Sequence, residues 1–312
     1  MTKMRALITG MEGFVGPYLA KELIKRGYIV AGTYLKKRSD SIPKKTTQYH
    51  VDILDMDALN EMLLDFKPDV LFHLAGISDV GFSFKQPEIT HKINVEGTKN
   101  VIESAFKLEK KPKILMVGSA MEYGIPQFTP ITEDHPLNPS SPYAKSKVEA
   151  EKIAKEYCDK GMEIISTRSF NHTGPGQSPN FVSSSFAREV AKIEKGLQKP
   201  DIKVGNLSSK RDFTDVRDIV KAYVDLVEKG KSGESYNVCS GKGVSMQKIL
   251  DVLLSITSVE VFMETDEERI RPSDVPISIG DNTKLKEDTG WVPKINLERT
   301  LYDLLNYWRE NV

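Results

Sequence analysis

The stretch Arg5-Ala-Leu-Ile-Thr9-Gly10-Met-Glu-Gly13-Phe14-Val15-Gly16 decides the fold. Its first five residues make a near-continuous apolar run and its glycines turn the chain. Phe14, Tyr18, Leu19 and Leu23 then recur at helical spacing until Gly27 stops the helix. Strand, glycine turn and helix in that order, with the spacing GxxGxxG, let the backbone pass close to a pyrophosphate held at a helix N-terminus. Gly10, Gly13, Phe14, Val15 and Gly16 are therefore candidate cofactor contacts. Beyond this unit, short β-branched runs recur at 29–34, 48–52, 70–75, 114–118, 163–169 and 235–238, separated by stretches long enough for helices. That alternation predicts an α/β fold, a Rossmann-type doubly wound parallel sheet covered on both faces.

After about residue 170 the texture turns rich in Pro, Gly and Ser (Gly174, Pro175, Gly176, Ser178, Pro179), and a helical pattern follows at 186–194. The pattern then returns to the first region, with a helix expected over 213–227 and a strand of the main sheet over 235–238. The expected organisation is a cofactor-binding domain of residues 1–170 plus 212–245 and a smaller, discontinuous α/β substrate domain of 171–211 plus 246–312.

The 312 residues are 39% apolar and 28% charged, the composition of an ordinary globular enzyme. Lys+Arg and Asp+Glu each number 44, so no net basic field gathers nucleic acid or an anionic membrane. Cys158 and Cys239 are too few to staple the chain and show no ligand spacing, which implies a reducing compartment and no metal. No run of eighteen apolar residues and no signal-peptide core is present, and a cytoplasmic protein is expected.

An NAD-specific site places an acidic residue at the end of the second strand. Here that end reads Gly32-Thr-Tyr34-Leu-Lys36-Lys-Arg38-Ser39. Tyr34 stands at the acidic position and cations follow, so Tyr34, Lys36 and Arg38 favour the 2′-phosphate of NADPH, with NADH as the alternative.

Tyr143 and Lys147 are spaced i, i+4 at the start of a helix opened by Pro142, and so share one face. A nearby ammonium is expected to lower the Tyr pKa and make the phenol a usable acid or base. Ser119 ends the apolar strand Ile114-Leu-Met-Val-Gly, at the carboxyl edge where parallel sheets bind ligands. Ser119, Tyr143 and Lys147 form the candidate catalytic set.

With the glycine turn, this set resembles the extended short-chain dehydrogenase/reductases that act on nucleotide sugars. Val51-Asp52, His73-Leu-Ala-Gly76 and Asn94-Val-Glu-Gly-Thr98 resemble that family too. The resemblance implies that Asp52 and Ile53 flank the adenine and that Ala75 and Gly76 pass near the phosphates or nicotinamide ribose. Asn94 reads as a structural anchor, and His73 as a satisfied core histidine.

The runs 168–182 and 205–213 and Arg271-Pro-Ser-Asp274 resemble, within the family, the enzymes of GDP-deoxyhexose metabolism. The resemblance implies reduction of the 4-keto group of GDP-4-keto-6-deoxymannose to GDP-rhamnose, and a homodimer built on two helices per subunit. It also implies that Asn171 meets the substrate phosphate and Asp274 a ribose hydroxyl or the guanine edge. Arg188, Arg211 and Arg271 are candidate diphosphate ligands, because guanidinium grips phosphate in a planar fork.

Related 4,6-dehydratases follow their Thr with an acid pair, whereas Ser119 is followed by Ala120 and Met121. A methyl and a thioether supply no acid or base, which disfavours dehydration unless Glu122 moves into that place. Related epimerase-reductases carry a Cys and a His where this chain has Met121 and Gly176. Two alternatives stay open, a GDP-mannose 4,6-dehydratase and a non-catalytic NADP-sensing binding protein.

Overall fold

The computed structural model describes residues 3–36, 41–266 and 275–312. The chain opens with β1 (Arg5–Thr9), α1 (Gly16–Lys25), β2 (Ile29–Tyr34), β3 (Thr47–His50), α2 (Met56–Phe66) and β4 (Val70–His73). There follow α3 (Val80–Lys85), α4 (Pro87–His91), α5 (Gly97–Phe106), β5 (Lys113–Ser119), α6 (Pro142–Asp159) and β6 (Ile164–Ser169). The second half runs β7 (Asn171–Thr173), α7 (Val182–Glu194), β8 (Asp201–Val204), β9 (Lys210–Asp215), α8 (Val216–Lys229) and β10 (Ser235–Val238). It closes with β11 (Gly243–Ser245), α9 (Met246–Ile256), β12 (Phe262–Thr265), β13 (Ile277–Ser278), α10 (Thr283–Thr289) and α11 (Leu297–Asn311).

Seven strands form one sheet in the order β10-β6-β5-β4-β1-β2-β3, and every pairing in it is parallel. The fold is thus the doubly wound α/β sheet that the alternation predicts. The order reverses between β1 and β4, which opens a crevice at their carboxyl ends. One face is covered by α1 and α8, with Leu19, Leu23, Ile219 and Tyr223 buried. The other is covered by α2, α5 and α6, with Leu59, Leu63, Val101 and Ala154 buried. β4 and β6 are buried along their whole length, and the apolar run Val70–Phe72 of β4 follows from burial on both faces.

A second region lies past β6. There β9 pairs with β11, β13 and β7, and β8 with β12. Beside these small sheets α7, α9 and α11 pack around Val190, Leu250, Leu301, Leu304 and Leu305, so the leucine face of α11 is core. Residues 283–291, counted above with the substrate region, pack on the first region instead: Leu285 and Trp291 join the core under α8. The Trp291 indole donates to the Asp218 carbonyl at 3.0 Å.

The helix expected over 213–227 starts only at Val216. Phe213, Thr214 and Asp215 finish β9, and the Asp215 carboxylate caps the helix by accepting from Arg217 N at 2.8 Å. Likewise β4 stops at His73, because Ala75 N leaves the ladder for the Thr9 hydroxyl at 3.2 Å.

Candidate active site

The glycine turn lies at the mouth of the crevice. Gly10 has φ +68°, and a Cβ there would stand 2.9 Å from Ala75 Cα. A Cβ on Gly16 would meet the Met11 carbonyl oxygen at 2.2 Å. Only glycine lets the loop after β4 and the turn after β1 come together in this way. No side chain caps the N-terminus of α1, where Val15 is the cap residue, so this end is open to an anion. Gly13 is exposed on the turn and donates to the Gly10 carbonyl at 3.1 Å. Phe14 stacks on His172, with centroids 6.2 Å apart and planes 4° from parallel.

At the far end of this groove Tyr34 packs against the His50 ring at 5.3 Å. The next amide, Leu35 N, donates to Glu12 Oε1 at 2.8 Å, while Glu12 Oε2 is buried without a partner. A carboxylate therefore does reach the end of β2, but from the glycine turn and not from the strand. The sequence signal was a lone charge amid the glycines. Lys36 is exposed, and Arg38 lies outside the described residues. Asp52 turns the chain by accepting from Leu54 N at 2.9 Å, and Ile53 is buried against α5, where it would collide with a Cβ on Gly97. The cradle and the open helix end fit a dinucleotide pyrophosphate. The orphaned carboxylate oxygen fits a ribose hydroxyl.

Ser119, Tyr143 and Lys147 come together where β5 ends beside α6. Ser141 caps α6 by accepting from Ala144 N at 3.1 Å, and Pro142 occupies its first turn. Tyr143 is buried, and burial pushes its phenol up to about 12, against a Ser119 hydrogen bond that lowers it. Burial brings Lys147 down to about 8, and its ammonium donates to the Val117 carbonyl at 2.9 Å. The expected lowering of the Tyr143 pKa by Lys147 is thus corrected: desolvation of the phenolate dominates, and the lowering contribution comes from Ser119. At neutral pH Tyr143 is a protonated acid. Lys147 Nζ lies 3.8 Å from the place a Gly76 Cβ would take, so the lysine meets the loop after β4.

Asn94 holds that loop, accepting from Ile77 N at 2.7 Å and donating to Ile77 O at 3.0 Å and to Ser146 Oγ at 2.9 Å. His73 is bonded to Thr9 at 2.8 Å and Thr98 at 2.9 Å, and burial depresses its pKa to about 3. Both are framework, as read from the sequence.

Glu122 does not face solvent at all. A single turn, Ala120–Tyr123, follows β5 as a capping box: Ser119 N donates to Glu122 Oε1 at 2.7 Å, and Met121 N to Ser119 Oγ at 3.2 Å. The carboxyl lies against Gly118 and Thr167, 3.9 Å from Arg168 Nε, behind the strand. It is not presented to the crevice as a dehydratase acid would be.

On the other side of the crevice Asn171 is exposed and pairs with Phe213. Arg211 lies two residues along the same strand, between Val244 and Ser278, and Nη1 donates to the Lys210 carbonyl at 2.9 Å. Asn171 and Arg211 thus belong to one small sheet. Arg188 is on α7, over the Trp308 ring at 5.5 Å, in the helical layer. Arg271 and Asp274 lie outside the described residues. His172, to which the sequence reading gave no role, donates from Nδ1 to Phe170 O at 3.0 Å, and burial lowers its pKa. A neutral ring with an acceptor at Nε2 therefore stands beside the glycine turn.

A profile of the GDP-mannose 4,6 dehydratase family matches residues 7–304. The chain belongs to that family. Within it, the chain is 32% identical over 311 residues to GDP-6-deoxy-D-mannose reductase of Pseudomonas aeruginosa, covering 99% of this chain and 98% of that one. GDP-mannose 4,6-dehydratase of Vibrio cholerae is 29% identical, over 97% of this chain and 93% of its own. The structure of RMD from Pseudomonas aeruginosa complexed with NADPH superposes with a TM-score of 0.88 at 31% identity, over 99% of this chain and 100% of that one. The family name therefore covers both dehydratases and a reductase, and the choice rests on the residues around Ser119.

Proposed function

We propose that this chain reduces the 4-keto group of GDP-4-keto-6-deoxy-D-mannose to give GDP-D-rhamnose, using NADPH. The observation that carries the reading is the combination of a protonated Tyr143 beside Ser119 with a Glu122 turned into the protein. That set delivers one proton and lacks the acid pair of a dehydratase. The nearly full-length match to a reductase supports the same choice over the dehydratases at slightly lower identity.

Bound NADPH supplies the hydride that reaches C4. Gly10, Gly13, Gly16 and the open end of α1 would hold its pyrophosphate, and Gly76 and Lys147 its nicotinamide ribose. Tyr143 donates its proton to the C4 oxygen as negative charge develops there, and the Ser119 hydroxyl hydrogen-bonds the same oxygen. Asn171 and Arg211, on one small sheet, would grip the GDP diphosphate, and Arg188, Arg271 and Asp274 stay candidates on the family resemblance alone. The NADPH complex of the similar reductase supports NADPH as the preferred cofactor, and Glu12 supports tolerance of NADH.

The GDP-sugar is the partner this reading requires, and we place the protein in the cytoplasm as a homodimer. No described helix is long and apolar enough to cross a membrane, and both cysteines are unpaired thiols. The helix after Tyr143, α6, is our candidate for one of the two dimer helices, whereas Leu301, Leu304 and Leu305 of α11 are buried in the core.

The test is loss of reduced-nicotinamide absorbance on mixing with GDP-4-keto-6-deoxymannose, with NADPH and NADH in parallel and the product assigned by NMR. Oxidation yielding GDP-rhamnose is expected. Release of a 4-keto sugar from GDP-mannose without added reductant would instead establish the dehydratase.

A further inference from the structure

Behind the catalytic edge of the sheet lies a buried group of charges that the proposed reaction does not use. Glu122 has no solvent exposure, and its Oε2 has no hydrogen-bond partner. The Arg168 guanidinium is close but already engaged. Its Nε and Nη2 donate to the two oxygens of Glu151 at 3.0 and 2.6 Å, and its Nη1 donates to the Tyr123 hydroxyl at 3.1 Å and the Glu133 carbonyl at 2.8 Å. Glu151 also accepts from the Ser235 hydroxyl at 2.7 Å. Two carboxyls compete for one cation, and Glu151 holds it in a bidentate pair. A second negative charge in this space would be desolvated and unpaired, which is costly enough that the group keeps its proton instead.

We propose that Glu122 works as a neutral carboxylic acid, a positioning residue that fixes Ser119 from behind the strand, and that Glu151 keeps it neutral by occupying Arg168. This rests on Tyr143 and Ser119 acting as described above. As a neutral acid, Glu122 accepts from Ser119 N through one oxygen and directs the proton of the other toward Glu151. The hydroxyl of Ser119 is thereby set without a buried anion beside Tyr143 and Lys147.

The groups facing Glu122 are Ser119 and Tyr123 on its own turn, Tyr143, Lys147 and Glu151 on α6, and Arg168 on β6. Burial and the neighbouring Glu151 push the Glu122 carboxyl well above the ordinary range, while Arg168 holds Glu151 low. Negative charge on Glu122 would raise both Tyr143 and Lys147. Gly118 is part of the device, since a Cβ there would stand 2.6 Å from Glu122 Oε1.

The experiment compares variants of the full chain. Glu122→Ala is expected to lower kcat by about 10- to 100-fold with cofactor affinity unchanged, because Ser119 loses its anchor. Glu122→Gln presents the same acceptor and a donor toward Glu151, and is expected to rescue that loss without moving the pH profile. Glu151→Gln frees Arg168 to draw out the Glu122 proton, so the alkaline limb of kcat should move to higher pH, and Glu122→Gln in the same chain should cancel the move.

Failure of Glu122→Gln to rescue, or an unmoved limb in Glu151→Gln, overturns the proposal. Infrared spectroscopy gives a readout that needs no turnover: at neutral pH the wild type should show a protonated-carboxyl carbonyl band that Glu122→Gln lacks. Its absence from wild type also overturns the proposal. A wild type inactive on the keto sugar fails the functional reading alone, and the infrared comparison still tests Glu122.

Discussion

At the carboxyl edge of the seven-stranded sheet the catalytic set Ser119, Tyr143 and Lys147 is buried or bonded into the framework, whereas across the crevice the candidate diphosphate ligands Asn171 and Arg211 ride on a small sheet. Lys147 is bonded to the Val117 carbonyl, Ser119 is locked in a capping box, and Tyr143 is buried. Asn171 is exposed, and Arg211 spends a donor on the carbonyl of the preceding residue. The difference teaches where the molecule is preorganised. Groups that act on developing charge must not reorganise during the reaction, so the rigid parallel sheet carries them. Groups that grip a diphosphate gain their geometry from the ligand itself and can sit on a small sheet.

The largest expected effect breaks the first side of this comparison. Tyr143→Phe should lower kcat by about 10³-fold, in the range of lost general acid catalysis, while cofactor binding measured by fluorescence titration stays near wild type. Retained turnover would remove Tyr143 from the mechanism. On the second side, Arg211→Ala should raise KM for the GDP-sugar roughly tenfold with kcat little changed, since it removes binding shared by ground and transition states. A matching drop in kcat would mean that the small sheet is as preorganised as the large one.

Lys147→Met separates stability from function on the rigid side. The folded protein holds this lysine at about 8 against an ordinary 10.5, so its burial costs stability fully below about pH 8. That cost fades as pH rises above 8 and is gone well above 10.5, where the lysine is neutral whether folded or not. The variant should lose activity yet melt higher at pH 7, by on the order of 5 °C, with the gain shrinking by pH 10 in thermal scans. The smallest effect concerns the far end of the groove. Glu12→Gln should shift relative affinity toward NADPH over NADH by about threefold, because it removes a negative charge from where a 2′-phosphate would sit. Equal Kd changes for both cofactors would place Glu12 outside the ribose site.

Much of the first region was legible because its physics is local. A strand, a glycine turn and a helix are neighbours in sequence, and Tyr143 and Lys147 share a helical face by spacing alone. The helix expected over 213–227 was misread at its start because the aromatic Phe213 and the β-branched Thr214 occur in either state, and pairing with Asn171 and His172 makes them strand. Residues 283–291 went to the first core because Leu285 and Trp291 meet α8, a contact between segments far apart in the chain.

By itself the sequence determined the doubly wound sheet, the glycine turn and the residue types of the catalytic set, since periodicity and spacing are properties of adjacent residues. Tertiary structure alone decided the protonation and direction of those residues. Burial, and not the lysine four positions on, sets the Tyr143 phenol high. Glu122 faces Arg168 and Glu151 behind the strand, and the carboxylate at the end of β2 arrives from Glu12. Desolvation and the competition of two carboxyls for one guanidinium depend on what surrounds a group in space, and no spacing along a chain encodes that.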